Sequence, residues 1–378
     1  MKLTDVCDFQ GGSQPPKSQW SDEPKEGYIR VLQIRDFTQD NSKVEYVKIT
    51  NSTKKCEEKD ILIARYGASI GKILTGLSGA YNVAMMKVII DENIVDRKFI
   101  YYFLKSDVFQ NYIRNVGQRA AQAGFNKGEL SKININLPTL KEQKNVAKEL
   151  DKVQEMIDIR EKQIEQLDEL IKSQFVEMFG SVELNDKKFE EQEMSCIADI
   201  SSSKRIYANE YQEIGIPFYR SKEIIELGHN KKPSIELFIS KSRYEEIKDK
   251  YGIPKKGDIL ITAVGTIGET WIVDTDEPFY YKDGNVLQIR LNTDISQIYF
   301  KYVLDTLISI FKNKNVSGSA YSALTIEKFK KMKIILPPIE LQDKFAEIVK
   351  QIDKQKFEIQ KNLEEMQNLQ ESLMNKYF

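Results

Sequence analysis

Apolar positions along the chain follow two different periods in turn. Residues 1–138, and again 181–337, carry short β-branched and aromatic runs between clusters of Gly, Asn, Asp and Ser; Tyr28–Ile34, Ile61–Ala64, Val83–Ile90 and Ile133–Leu137 are examples. That pattern predicts short strands, with one helix near Arg97–Val116, in a mixed α/β (α+β) domain with an irregular sheet. Residues 139–179 and 338–378 have no glycine and no proline beyond Pro338, and are rich in Glu, Lys, Gln, Leu and Ile. Such residues are all compatible with a helix, so each stretch predicts one long helix. The boundaries are therefore a domain at 1–138, a helical spacer at 139–180, a domain at 181–337 and a second helical spacer at 338–378.

The helices have readable ends and a readable face. Thr139, three residues before Glu142, fits a capping box; Gly180 sits where a left-handed residue closes a helix, and Pro337-Pro338 marks the second entrance. Leu150, Val153, Ile157, Ile164, Leu167, Ile171 and Met178 fall on the a and d positions of a heptad, interrupted by Arg160 and Gln174. The second copy places Val349, Ile352, Ile359, Leu363, Met366, Leu373 and Tyr377 in the same frame, interrupted by Lys356 and Gln370. A seam kept over several heptads indicates a coiled coil, and about 40 helical residues at ~1.5 Å each extend on the order of 60 Å. Phe175, Val176, Phe345, Ile348 and Leu369 add apolar positions off the seam, for burial in a bundle or for partner helices.

The two halves also match residue by residue. Asp60-Ile-Leu-Ile-Ala-Arg-Tyr-Gly67 aligns with Asp258-Ile-Leu-Ile-Thr-Ala-Val-Gly265, identical at five of eight positions, and Gly71 and Gly268 follow. Asn82-Val83 matches Asn285-Val286, and Leu137-Pro138 matches Leu336-Pro337. A repeat this long is a duplicated domain rather than a solenoid. If a pseudo-twofold axis relates the copies, the two helices pair antiparallel and join the two globular domains.

Composition removes most catalytic classes. The 378 residues contain one histidine, His229, and three widely spaced cysteines, Cys7, Cys56 and Cys196. Hydrolytic triads and multi-histidine metal sites need several imidazoles, and neither a zinc ribbon nor a disulfide scaffold fits this spacing. Three thiols suit a reducing cytoplasm. The start, MKLTDVCDFQ, turns polar too early for a signal peptide, and no run is long enough to span a membrane. Gly67-Ala-Ser-Ile-Gly71-Lys72-Ile73 has three residues between its glycines and Ile after the lysine, whereas a phosphate loop needs four and Ser or Thr. It reads as a glycine turn between strands, and His229 as a turn residue. No catalytic or metal-binding residue is expected.

The net charge of −1 first speaks against nucleic acid, but its distribution is uneven. Residues 1–138 have 20 basic and 16 acidic side chains and 180–337 have 23 of each, while the helices are acidic, −3 over 139–179 and −2 over 338–378. Two similar sites held at a fixed separation suit duplex DNA, whose half-sites are spaced by the binder's geometry. Candidate DNA-contacting residues in the first copy are Gln33, Arg35, Arg65, Tyr66, Lys72, Gln118, Arg119, Gln122, Asn126 and Lys127. In the second they are Arg220, Lys222, Thr266, Lys282, Lys312, Lys314, Ser319, Tyr321 and Ser322. Arg pairs bidentately with guanine, Gln and Asn pair with adenine, and Lys and Ser engage phosphates.

The alternation of globular and helical segments, Asp60-Ile-Leu-Ile…Gly67…Gly71-Lys72, and the duplicated helix entrances Leu137-Pro138-Thr-Leu-Lys-Glu-Gln143 and Leu336-Pro-Pro-Ile-Glu-Leu-Gln342 resemble the specificity subunit of type I restriction–modification enzymes. The resemblance covers essentially the entire chain. It implies two target-recognition domains, each reading one half of a gapped double-stranded DNA sequence, with helices that set the gap and bind two adenine methyltransferase subunits. It also implies motor–nuclease subunits, and S-adenosylmethionine and ATP with magnesium held by the partners rather than by this chain. Two other readings stay open on the residues alone: a recognition subunit of a related restriction–methylation system, and a coiled-coil adaptor whose globular ends bind proteins.

Overall fold

The Asp-Ile-Leu-Ile run explains itself once its two faces are followed. In a strand successive side chains point to opposite faces. Ile61 and Ile63 join the core formed by Phe9, Val88, Phe99 and Phe103, whereas Leu62 and Ala64 join Leu32, Tyr81 and Met85. The same split occurs in the second copy, where Ile259 and Ile261 face one core and Leu260 faces another with Tyr219, Trp271 and Tyr281. A strand covered on both faces needs apolar residues at every position, hence the unbroken run.

The computed structural model describes residues 1–39, 42–119, 124–315 and 324–378, with only the backbone for 117–119 and 314–315. It forms two compact units, Met1–Lys162 with Ile359–Phe378, and Gln163–Glu358. In the first, an antiparallel four-stranded sheet has the spatial order Cys7–Gly11, Met85–Ile90, Ile61–Ala64, Ile73–Leu74. A five-stranded sheet has the order Trp20–Ser21, Glu45–Lys48, Tyr28–Leu32, Gly79–Tyr81, Lys55–Cys56, and only its Tyr28–Leu32 and Gly79–Tyr81 pair is parallel.

The second unit repeats the first order in full and the second without a counterpart of Lys55–Cys56. Its first sheet runs Ala198–Ser202, Val286–Leu291, Ile259–Thr262, Thr270–Ile272; its second runs Tyr211–Gln212, Phe238–Ile239, Ile216–Tyr219, Tyr280–Tyr281, again with one parallel pair. The duplication read from a few motifs is thus a duplication of topology.

Four predicted elements differ in detail. The strand expected over Tyr28–Ile34 ends at Leu32, because Gln33 begins a short 3-10 turn, Ile34–Phe37. The strand expected over Val83–Ile90 begins only at Met85, and Val83 lies exposed in the preceding turn. The helix expected over Arg97–Val116 is two, Arg97–Lys105 and Asp107–Arg119. Ser106 between them is extended, and its hydroxyl donates to the Phe103 carbonyl at 2.7 Å. In the second copy the equivalent helix, Gln297–Asn315, is continuous. Ile133–Leu137 forms one bridge, Lys2 to Asn134, rather than a strand, while Lys333–Leu336 finds a full partner in Glu190–Glu193. The glycine turn holds as read: Gly67 and Gly71 lie at φ +71° and +83° between strands Ile61–Ala64 and Ile73–Leu74.

The long helices are Leu140–Phe179 and Ile339–Tyr377. Thr139 and Glu142 form the reciprocal cap, with the Thr139 N–H donating to Glu142 at 2.9 Å, and Gly180 closes the helix at φ +70°. In the first unit the helix segments run antiparallel, with Gln370 donating to Gln154 at 3.0 Å and Tyr377 to Glu149 at 2.5 Å. They do so in the second unit too, where Lys356 meets Asp168 at 2.5 Å and the Phe175 and Phe345 rings lie 5.5 Å apart. Leu150, Val153, Ile157, Ile171, Val349, Ile352 and Leu363 are buried, and Ile164, Leu167, Ile359, Met366 and Leu373 are partly so. Of the off-seam positions, Phe175 and Phe345 are buried, whereas Val176 and Leu369 are 60 % and 49 % exposed.

The repeated glutamine fastens each helix entrance to its domain. Gln143 accepts from the Asp96 N–H at 2.8 Å and donates to Pro138 O at 2.9 Å; Gln342 accepts from the Ser296 N–H at 3.1 Å and donates to Pro337 O at 2.8 Å. Both glutamines are buried, and Asp96 caps the domain helix Arg97–Lys105. The repeated aspartate works the same way. Asp60 accepts from the Glu57 N–H at 2.8 Å and from Lys87 at 2.5 Å; Asp258 accepts from the Lys255 N–H at 2.7 Å, from Gln288 at 2.7 Å and from both forks of Arg290.

Two outcomes follow. Gln342→Leu strands a part-buried N–H and a buried carbonyl, so urea denaturation should show a loss of roughly 1–3 kcal/mol for the carbonyl and somewhat less for the N–H. For Asp60, burial pushes the carboxyl pKa up, but the bonds from Lys87 and the Glu57 N–H outweigh it and hold the group below its usual 3.8. A carboxylate with a depressed folded pKa contributes fully above the unfolded value and loses that contribution as pH falls through the folded one. Asp60→Asn should therefore cost about 1.5–3 kcal/mol at pH 7, with the gap to the unmodified chain closing as the pH drops below about 3.8.

Candidate nucleic-acid interface

The second sheet of each unit ends its central strand in a polar turn. In the first unit the Gln33 N–H donates to Asp36 at 2.7 Å, closing the turn after Tyr28–Leu32. Asp36 also takes Arg30 at 3.3 Å and Ser42 at 3.0 Å. Glu45, at the start of the neighbouring strand, accepts from Gln33 Nε2 at 3.0 Å and from Arg35 Nη2 at 2.6 Å. In the second unit the Arg220 N–H donates to Glu223 at 2.7 Å, and its guanidinium bonds Glu223 at 2.9 Å and Glu236 at 2.8 Å. Lys222 reaches Glu236 at 2.9 Å. The bonds from Glu223 and Glu236 raise the Arg220 pKa above its usual value, and those from Arg220 and Lys222 lower that of Glu236.

A second group surrounds the glycine turn of the first unit. Arg65 Nε donates to Phe125 O at 3.2 Å, and its guanidinium lies 5.0 Å from the centre of the exposed Tyr66 ring. Tyr66 bridges to Gly124, where a Cβ would come within 2.5 Å of the Tyr66 ring, so only glycine lets the segments approach. Arg65-Tyr66 and the end of the 117–127 segment, separate in sequence, are thus brought together. Lys72 is exposed on the same turn. Asn126 caps the short helix Lys127–Leu130, accepting from Gly128 at 2.8 Å, and Lys127 pairs with Asp8, lowering that carboxyl's pKa.

In the second unit Thr266 is exposed and its carbonyl accepts from the Thr262 hydroxyl at 2.5 Å. The Lys282 N–H donates to Tyr219 O at 2.8 Å, directly beside Arg220, and its ammonium donates to the Tyr211 hydroxyl at 3.2 Å. Lys312 lines a cleft of about 710 Å³ with Glu269, Lys301, Asp305, Asp353 and Lys356. Gln122, Ser319, Tyr321 and Ser322, and the side chains of Gln118, Arg119 and Lys314, lie outside the described residues.

Sequence inspection missed the acids Glu45, Glu236 and Asp283; Asp283 accepts from the exposed Arg205 at 2.7 Å. They stand 10, 14 and 78 residues from Arg35, Lys222 and Arg205, with no local pattern to join them. His229 ends the helix Ser221–Gly228, with Nδ1 2.8 Å from Ile225 O, and is a turn residue as read. Among the described residues no group of three or more His, Cys, Asp or Glu is arranged to hold a metal ion. Nor is any helix among them long and apolar enough to cross a membrane.

Comparison with known proteins matches the duplication found in the fold. A putative type I restriction enzyme specificity subunit from Haemophilus influenzae is 30 % identical over 271 residues, covering 68 % of this chain and 64 % of that protein. The type I restriction enzyme MjaVIII specificity subunit of Methanocaldococcus jannaschii is 26 % identical over 399 residues, covering 98 % and 91 %. The crystal structure of a type I restriction–modification system S subunit from M. genitalium superposes with a TM-score of 0.54 at 17 % identity, over 100 % of this chain and 95 % of that one, and so shares the fold. The family model for the type I restriction modification DNA specificity domain matches twice, over residues 1–169 and 186–366. The chain belongs to that family and is a type I restriction–modification specificity subunit carrying two such domains.

Proposed function

We propose that each globular domain reads one half of a two-part, double-stranded DNA target, and that the helices fix the distance between the halves and dock two adenine methyltransferase subunits. Motor–nuclease subunits join the same assembly. The observation that carries this reading is the repetition of strand order in both units, with a polar, donor-rich turn at the same place in each. Two copies of one reader with different donors are suited to two different half-sites.

Chemistry belongs to the partners on this reading. Methylation draws on S-adenosylmethionine, and translocation on ATP with magnesium, held by those subunits. This chain supplies position: its one histidine is bonded to a helix carbonyl, and its buried carboxylates Asp60 and Asp258 are committed to backbone and cationic partners. The role is a cytoplasmic one, where the DNA is. Exposed Val176 and Leu369 on the long helices are apolar positions that partner helices can cover.

Mapping of methylated adenines in cells carrying the chain and its methyltransferase should return a two-part sequence with a fixed gap. Exchanging residues 1–138 for the same region of another specificity subunit should replace one half and leave the other intact. Simultaneous change of both halves would exclude independent readers. Deleting one heptad from each helix should change the gap or abolish methylation.

A further inference from the structure

The two domains repeat a donor–donor–carboxylate arrangement that survives a change of donors. In each, the first donor directly follows the central strand of the second sheet and the second donor comes two residues later: Gln33 and Arg35, Arg220 and Lys222. In each, one carboxylate from the returning chain takes both: Glu45 at 3.0 and 2.6 Å, Glu236 at 2.8 and 2.9 Å. A second, buried acid three residues beyond the first donor closes the turn, Asp36 in one domain and Glu223 in the other. The donors change from Gln and Arg to Arg and Lys, whereas the acceptor stays Glu.

In the second domain stability does not account for this arrangement, because exposed ion pairs contribute little to folding, and Lys222 and Glu236 are 51 % and 55 % exposed; in the first, Glu45 is the more buried partner, with its side chain 16 % exposed. What the carboxylate controls is how the donors meet DNA. A cation already paired gains less from a passing phosphate, the interaction that drives sequence-independent binding. A long side chain held in one rotamer also gives up less freedom when it docks. Donor capacity remains: Arg35 commits only Nη2 to Glu45, and among the described residues its other nitrogens carry no hydrogen bond. Free guanidinium and amide N–H groups in fixed orientation match the acceptors on guanine and adenine edges.

We propose that Glu45 and Glu236 are specificity-determining residues: each holds two donors of its domain, restrains them from phosphate, and presents those of their remaining N–H groups that are not buried to base edges. The proposal rests on the reading of the chain as the DNA-reading subunit, and goes beyond it in assigning selectivity to an acid.

The test uses Glu236→Gln and Glu45→Gln in the full chain, each co-produced with its methyltransferase. Glutamine keeps the shape and removes the charge. For E236Q, methylation should tolerate wrong bases about tenfold more often, an effect of about one discriminating contact, and only in the half read by residues 181–337. The intact other half reports a folded, assembled complex; E45Q should give the mirror image. On a short duplex lacking the target, the variant assembly should bind more tightly, and its salt slope should steepen by about 0.9 per freed cation, roughly a threefold greater loss between 50 and 200 mM. A two-part motif from the unmodified chain, with unchanged stringency and salt slope in both variants, overturns the proposal alone. No two-part motif from the unmodified chain overturns the functional reading and the proposal with it. If a variant loses methylation altogether, the salt slope decides: steeper supports the proposal and unchanged overturns it.

Discussion

Ile61, Leu62, Ile63 and Ala64 are at most 1 % exposed, and Ile259, Leu260, Ile261 and Thr262 are fully buried. A strand with no wet face must be covered from both sides, and that requirement organises each unit. The helices that follow the first sheet cover one side through Phe99, Phe103, Tyr299 and Phe300, while the second sheet covers the other through Tyr81 or Tyr281. Each fully buried apolar side chain contributes roughly 1.5–3 kcal/mol. The glycine turn that follows each strand and the aspartate that precedes it hold this register, and the polar turn of the second sheet inherits its position from it.

The long helices enter the same cores rather than standing apart from them. Val146 and Leu150 pack with Phe99 and Phe103 in the first unit, and the C-terminal Phe378 ring lies 5.1 Å from Phe99. Phe175, Phe179 and Phe345 pack with Tyr299 in the second. Each helix therefore begins in the core of one unit and ends in that of the other. The buried glutamines make these joins directional, since each satisfies the N–H of a residue at the start of a domain helix.

The donor turns show where surface chemistry and fold meet. Gln33, Arg35, Arg220 and Lys222 are recognisable as polar residues after a strand, but their state depends on Glu45, which arrives through strand pairing, and on Glu236, two residues before the paired strand Phe238–Ile239. Asn126, by contrast, is occupied in capping a short helix, and Lys127 in pairing with Asp8. A residue type that suits DNA is thus a necessary condition only; its hydrogen-bond partners decide what remains available to a ligand.

The amino-acid sequence by itself determined the duplication and the two long helices with their caps and seam. These are properties of period, composition and spacing, which act over a few residues or repeat along the chain. Tertiary structure decided what those periods could not reach. It broke one predicted helix at Ser106, left Ile133–Leu137 as a single bridge while giving Lys333–Leu336 a partner strand, and brought Glu45 and Glu236 onto their donors. The strand pairings and the two carboxylates depend on groups distant in sequence, whose positions are set only when the sheets pair and the two faces of the central strand are covered.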